Sequence, residues 1–177
     1  MKQNVKLDFE TLDTLLGDHA PFLISLSDGL QEELRLVIGA AEVGPVGGDV
    51  PDFEDTDEET GERLREILAH TCPVGISEQK VYEICFPAYI LYQIRCESFC
   101  AYGAEEVHTG KYLMLFQRSR LLSRVSDFTD AQQLEDGTFY PGKWVHYCIN
   151  TQCHVIDAIA HEPPIVSISG DRPEAEK

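Results

Sequence analysis

The chain has 177 residues and a formal net charge of -17, with 43% hydrophobic and 25% charged side chains. That length and balance bury enough apolar surface to fold without staples, which excludes a wholly disordered chain. The charge sets the molecule against nucleic acid and anionic membrane and favours cations or basic proteins.

The negative charge is unevenly placed. Residues 1–62 carry 16 acidic and 3 basic side chains, whereas residues 63–177 carry 15 and 11. The densest stretch, 49–62, holds eight carboxylates and no base. At the start, Lys2 and Lys6 imitate a basic leader, but Asp8, Glu10 and Asp13 interrupt any apolar segment after them. No run approaches the ~20 apolar residues of a membrane helix. The expectation is a cytoplasmic protein that inserts in no membrane, with its six cysteines as reduced thiols.

Residues 8–16 read as a short helix, with Asp8 as its cap, Phe9, Leu12, Leu15 and Leu16 on one face and Gly17 at its end. Residues 22–26 alternate as a strand, 27–29 form a turn, and Leu34, Leu36 and Ile38 alternate with Arg35 and Val37 as the returning strand. Residues 39–62, with five glycines, two prolines and the acidic run, read as a long mobile loop. Residues 63–70 are ambiguous: Leu64, Ile67 and Leu68 fit one helical face, but the segment is short.

The strongest strand signal covers 80–99. Tyr82, Ile84 and Phe86 share one face, and Pro87 ends that strand or marks an edge. In the next strand Ile90, Tyr92, Ile94 and Cys96 share a face, while Gln93, Arg95 and Glu97 point the other way. Residues 112–116 give a further strand. Residues 119–125 read as one or two helical turns, with Leu121, Leu122 and Val125 inward and Arg118, Arg120 and Arg124 outward. Residues 129–143 are polar and rich in turn formers. Strands over 144–149 and 155–159 flank Asn150, Thr151 and Gln152, Pro163 and Pro164 stop the second, and Val166 and Ile168 add an edge strand. The tail 169–177 is expected to fray. Strands outnumber helices, and their connections are too short for parallel crossovers. The expected fold is α+β, mainly an antiparallel β-sheet or β-sandwich with one or two short helices, in a single domain over 1–168.

Cys96, Cys100, Cys148 and Cys153, with His146 and His154, contain enough ligands for zinc, but neither cysteine pair has the two-residue spacing of a zinc knuckle. Asp55, Asp57, Glu59 and Glu66 fall at positions 1, 3, 5 and 12 of a calcium loop, yet position 6, which needs glycine, holds Thr60. No metal and no cofactor is expected. The serine-elbow, zinc-protease and phosphate-loop motifs are absent. His146 and Cys148 share a strand face and are the catalytic candidates, without an identifiable oxyanion hole or orienting acid. Candidate ligand-binding side chains are Arg95 and Glu97 on the strand and Arg118, Arg120 and Arg124 near Lys111. Surface ion pairing is the ordinary reading of all five.

The stretch VYEICFPAYILYQIRCESF over 81–99, with HYCIN and VIDAIAHEPP within 146–164, resembles a strand-pair signature of small uncharacterised bacterial proteins. The resemblance implies a bacterial cytosolic protein and assigns no activity and no catalytic residue.

Three functions remain. The first is an acidic protein-interaction module that binds a basic partner, similar in kind to the immunity proteins of bacterial toxin systems. The second is an enzyme or small-ligand binder using a pocket on the sheet, with His146, Cys148, Arg95 and Glu97 as its polar groups. The third is a subunit of a homo-oligomer, in which the arginine cluster meets acidic residues of a neighbour. With no catalytic motif, the chain reads more readily as a non-enzyme than as an enzyme.

Overall fold

The computed structural model describes residues 7–31, 33–48, 53 and 56–169. Helix α1 (Phe9–Leu16) begins where the Asp8 carboxylate accepts the Thr11 N–H at 2.6 Å and ends at Gly17, whose φ of 76° disfavours any side chain. It buries Phe9, Leu12 and Leu16 and leaves Leu15 at the surface.

Strands β1 (Phe22–Asp28), β2 (Leu34–Val43) and β3 (Val74–Phe86) follow, with helix α2 (Glu58–Leu68) between the last two. Next come β4 (Tyr89–Cys96), β5 (Val107–Thr109) and β6 (Leu113–Arg118). A 3-10 turn over Leu122–Arg124 runs into the single-turn helix α3 (Val125–Phe128), and β7 (Gln132–Gln133) and β8 (Phe139–Tyr140) form a small hairpin. The chain then adds β9 (Val145–Asn150), β10 (His154–Ala160) and β11 (Ile165–Ser169). A four-stranded sheet has the order β1-β2-β3-β11 and a five-stranded sheet the order β4-β10-β9-β6-β5, antiparallel throughout.

The two sheets share one apolar core. Leu34, Leu36 and Ile38 of β2 and Ile84 and Phe86 of β3 pack with Ile149 of β9 and Ile156 and Ala158 of β10, all fully buried. Tyr147 of β9 links three elements through its ring, meeting Phe9 of α1 and Phe86 of β3 edge-on with centroids 5.3 Å away in both cases. The antiparallel α+β expectation is thus met, in its two-sheet form.

Two parts of the predicted 39–62 loop are regular. β2 continues through Val43 because its far end pairs with an early extension of β3, Ala41 opposite Ile76 and Val43 opposite Val74, beyond an irregularity at Gly39. Gly39 permits this approach, since a Cβ there would run into the Ile76 side chain. The signal for this pairing is long-range, and the small residues Gly39, Ala40 and Ala41 carry no alternation to reveal it. Helix α2 starts within the acidic run because Asp57 accepts the Thr60 N–H at 3.0 Å, and Glu58 and Glu59 lie at the positive end of the helix. Residues 49–52, 54 and 55, including Asp55 of the calcium count, lie outside the described residues, as does the predicted tail from 170 onward; Ser169 belongs to β11. On β4 the predicted apolar stripe reaches the surface at Ile94 and Cys96, because β4 is an edge strand.

Asp13 ties α1 to the five-stranded sheet. One carboxylate oxygen accepts the N–H groups of Tyr112 and Leu113 and the other that of Lys111, each at 2.7 Å. These three consecutive donors lie where the chain turns from Gly110 into β6. Asp13→Ala leaves them without their acceptor, and hydrogen bonds to a charged group are worth about 1.5–3 kcal/mol apiece before non-additivity. The expected loss is about 2–4 kcal/mol of unfolding free energy, read by urea titration with an unchanged m-value.

Candidate functional site

The period-two alternation of β9 and β10 divides their residues between two environments. Tyr147, Ile149, Ile156 and Ala158 face the other sheet, so His146, Cys148, Val155, Asp157 and Ile159 emerge on the opposite, outer face. That face is covered: Cys100 and Leu122 pack on Met114, Phe116, Cys148 and Val155, while Leu121, Val125, Ala131 and Trp144 pack around Ile159. The predicted inward set Leu121, Leu122 and Val125 therefore packs on the outer face of the five-stranded sheet. Polar groups on that face are drawn out of water and have to satisfy one another.

Asp157 is fully buried, and four donor contacts saturate it. Oδ2 accepts from Gln93 Nε2 at 2.8 Å and from Arg95 Nε at 2.9 Å, and Arg95 Nη2 pairs with it electrostatically at 2.8 Å. Oδ1 accepts from His146 Nε2 at 3.0 Å. Register explains the convergence: Gln93 lies directly opposite Asp157 across β4–β10, Arg95 and His146 are two positions off on the neighbouring strands, and all four share the outer face. Burial pushes the Asp157 carboxyl up, but the hydrogen bonds from His146 and Gln93 and the Coulomb pull of His146 and Arg95 outweigh it, and the group sits below its ordinary value.

His146 is equally fixed. Its ring stacks on Phe116 with centroids 4.4 Å apart, and Nδ1 lies 2.8 Å from Ser119 Oγ. An ionised Asp157 only accepts, so Nε2 carries a hydrogen, and in the neutral ring the Ser119 hydroxyl donates to Nδ1. Ser119 Oγ also accepts the Leu122 N–H at 3.0 Å, which pins the turn after β6 to the sheet. Ser119, His146 and Asp157 have the composition of a nucleophilic triad, but Ser119 is only 4% exposed and spends its oxygen on the backbone. These contacts suit a brace.

A pocket of about 220 Å³ opens above this network. Gln93, Arg95, His146 and Asp157 form its floor with Phe116, Ala101, Tyr102 and Glu106 come from the loop after β4, and Arg120, Leu121, Arg124 and Phe128 come from the turn after β6. Arg120 donates to Glu105 at 2.7 Å, and Glu106 accepts the N–H groups of Gly103 and Arg120. Arg124 is exposed, and its guanidinium has no ion-pair or hydrogen-bond partner among the described residues.

Of the residues singled out in the sequence, His146, Arg95, Arg120 and Arg124 line this one pocket. Cys148 lies on the same face but is fully buried, with its sulfur 3.7 Å from the Tyr102 hydroxyl. Burial pushes both the Cys148 thiol and the Tyr102 phenol up, so both stay protonated at neutral pH. Glu97 is exposed in a 3-10 turn after β4, and Arg118 donates to the Glu105 carbonyl; neither lines the pocket. Ser119, Glu106 and Phe128 escaped the sequence reading, and the alternation places Gln93 only on the polar face of its strand. Ser119 stands 27 positions from His146, and only the β6–β9 pairing brings them together. All six cysteines are free thiols, and among the described residues no three His, Cys, Asp or Glu side chains gather to hold a metal.

No protein-family model, curated protein or solved structure matches this chain. The resemblance over 81–99 and 146–164 therefore assigns no role, and function has to be read from the pocket. Among the described residues no helix is long and apolar enough to cross a membrane. A larger groove, about 510 Å³, runs between α1 and Pro163–Pro164, but its lining is mainly apolar and includes none of the candidate residues.

Proposed function

We propose that this protein binds a small molecule in the pocket on the outer face of its five-stranded sheet. One observation carries the reading: arginines from two separate segments meet aromatic side chains around a cavity whose floor is a saturated, buried polar network. Convergent polar groups in a largely apolar pocket are the ordinary form of a ligand site. Binding is favoured over nucleophilic catalysis because both His146 ring nitrogens are engaged, Ser119 is shielded and Cys148 is a buried thiol. The acidic interaction module rests on charge alone, and the described part of the acidic run begins a helix, where Asp57, Glu58 and Glu59 have local roles.

A fragment screen followed by amide NMR tests the proposal. Hits should shift resonances of residues 101–106 and 120–128 together. Ala101→Trp, at an exposed position on the pocket wall, should weaken every such hit by about tenfold or more, some 1.4 kcal/mol, with folding retained. Hits confined to the Pro163–Pro164 groove, or no hits at all, would sink it.

A further inference from the structure

We infer that the ligand of this pocket is a small organic anion with a single planar ring, an inference that rests on the pocket being a binding site. The charges point to an anion. Three arginines line the pocket against two carboxylates, in a molecule whose overall charge is -17. Both carboxylates are spent: Asp157 accepts from Gln93, Arg95 and His146, and Glu106 accepts two backbone N–H groups. Each is therefore already held by donors of the chain itself. On the cationic side Arg124 is uncommitted, and the Arg95 guanidinium is held by Asp157 through Nε and Nη2, which leaves its remaining nitrogen for a guest. A guanidinium held in place is a ready donor to a carboxylate or phosphate, since little side-chain freedom is lost on binding.

The walls point to a ring. Phe116 is stacked on His146 and only 4% exposed, and the Tyr102 ring, 40% exposed, lies 5.9 Å from Phe116 at 34°, so Tyr102 carries the aromatic surface held at the pocket. Phe128 stands 69% exposed at the rim and adds an apolar edge to the pocket. The size points to a single ring. About 220 Å³ is room for about seven waters at about 30 Å³ each, below the span of drug-sized pockets.

The probes are benzoate, phenyl phosphate, neutral benzamide and inorganic phosphate, titrated by NMR at low salt into the whole protein and into Arg124→Gln. Benzoate or phenyl phosphate should shift residues 101–106 and 120–128, bind at least tenfold more tightly than benzamide, and weaken about 10–100-fold in Arg124→Gln as one charge-assisted contact is removed. The Arg124→Gln chain should unfold at an unchanged temperature, because the Arg124 guanidinium has no ion-pair or hydrogen-bond partner among the described residues. Equal binding of benzamide and benzoate overturns the anion assignment and leaves the binding site standing. Inorganic phosphate binding as tightly as phenyl phosphate overturns the ring. If neither these probes nor any fragment binds at residues 101–128, the site reading itself has failed.

Discussion

Asp157→Ala is expected to remove about 3–5 kcal/mol of stability, the range for breaking a buried ion pair on one side. The deletion strands three donors at once: His146 Nε2, the Gln93 amide and the Arg95 guanidinium all end on this one carboxylate. His146 has no other partner for that nitrogen, because Phe116 covers its ring and Ser119 holds the opposite edge. Against a typical total of about 5–15 kcal/mol, a loss of this size is measurable as a large fall in the urea midpoint or as failure to fold. Asp157→Asn keeps the shape and one acceptor oxygen and should lose less, about 1–3 kcal/mol, and fold. If both variants unfold at the wild-type midpoint, the network has no structural weight.

The same carboxylate sets a pH dependence. Its folded pKa is below its unfolded value, so between the two the unfolded chain binds the extra proton, and stability rises with pH there. The contribution is complete above about pH 4, the unfolded carboxylate range, and disappears as pH falls through the lower folded value. Asp157→Asn should flatten that acid limb of the stability curve.

Phe86→Ala should be as damaging, at about 3–5 kcal/mol, for a different reason. Phe86 is fully buried where the two sheets meet, and its ring packs edge-on against Tyr147, which itself rests on Phe9 of α1. Truncation leaves a cavity bounded by strands from both sheets, whose backbones are held apart by their own ladders and relax little. Phe128 provides the comparison. It is also a phenylalanine, but it stands exposed at the pocket rim, and Phe128→Ala should stay within about 0.5 kcal/mol of wild type. Equal losses for the two, read by thermal or urea unfolding, would contradict the core described above.

The elements that the sequence declares are those whose signal is local. Asp8, the Phe9–Leu12–Leu16 spacing and Gly17 specify α1 within ten residues, and the alternation around Ile84, His146 and Ile156 specifies strands and assigns each side chain to a face. The short connection between β9 and β10 fixes their antiparallel pairing, whereas β3 and β4, though nearly contiguous, enter different sheets. Placing His146 and Cys148 on one face and Arg95 opposite the apolar stripe of β4 follows from the same period of two. All three occupy the outer side of the five-stranded sheet.

Where the signal was long-range, the sequence was silent or misleading. The far end of β2 consists of small and acidic residues that look like loop, and they are strand only because 74–76 lies beside them. Asp13 looks like one more acidic surface residue until the turn after Gly110 delivers three N–H groups to it. Asp157 carried no motif and Ser119 no hint, and Gln93 shared only the face of Arg95, because no spacing rule connects positions 93, 119, 146 and 157. By itself the sequence determined an acidic, antiparallel α+β chain and the face of each strand residue, since propensity and alternation act over a few neighbours. Only the tertiary structure decided that the outer face of β9 and β10 is covered, that Gln93, Arg95 and His146 converge on one carboxylate there, and that the Arg124 guanidinium has no ion-pair or hydrogen-bond partner among the described residues. Burial and hydrogen-bond partnership depend on what the rest of the chain lays over a strand.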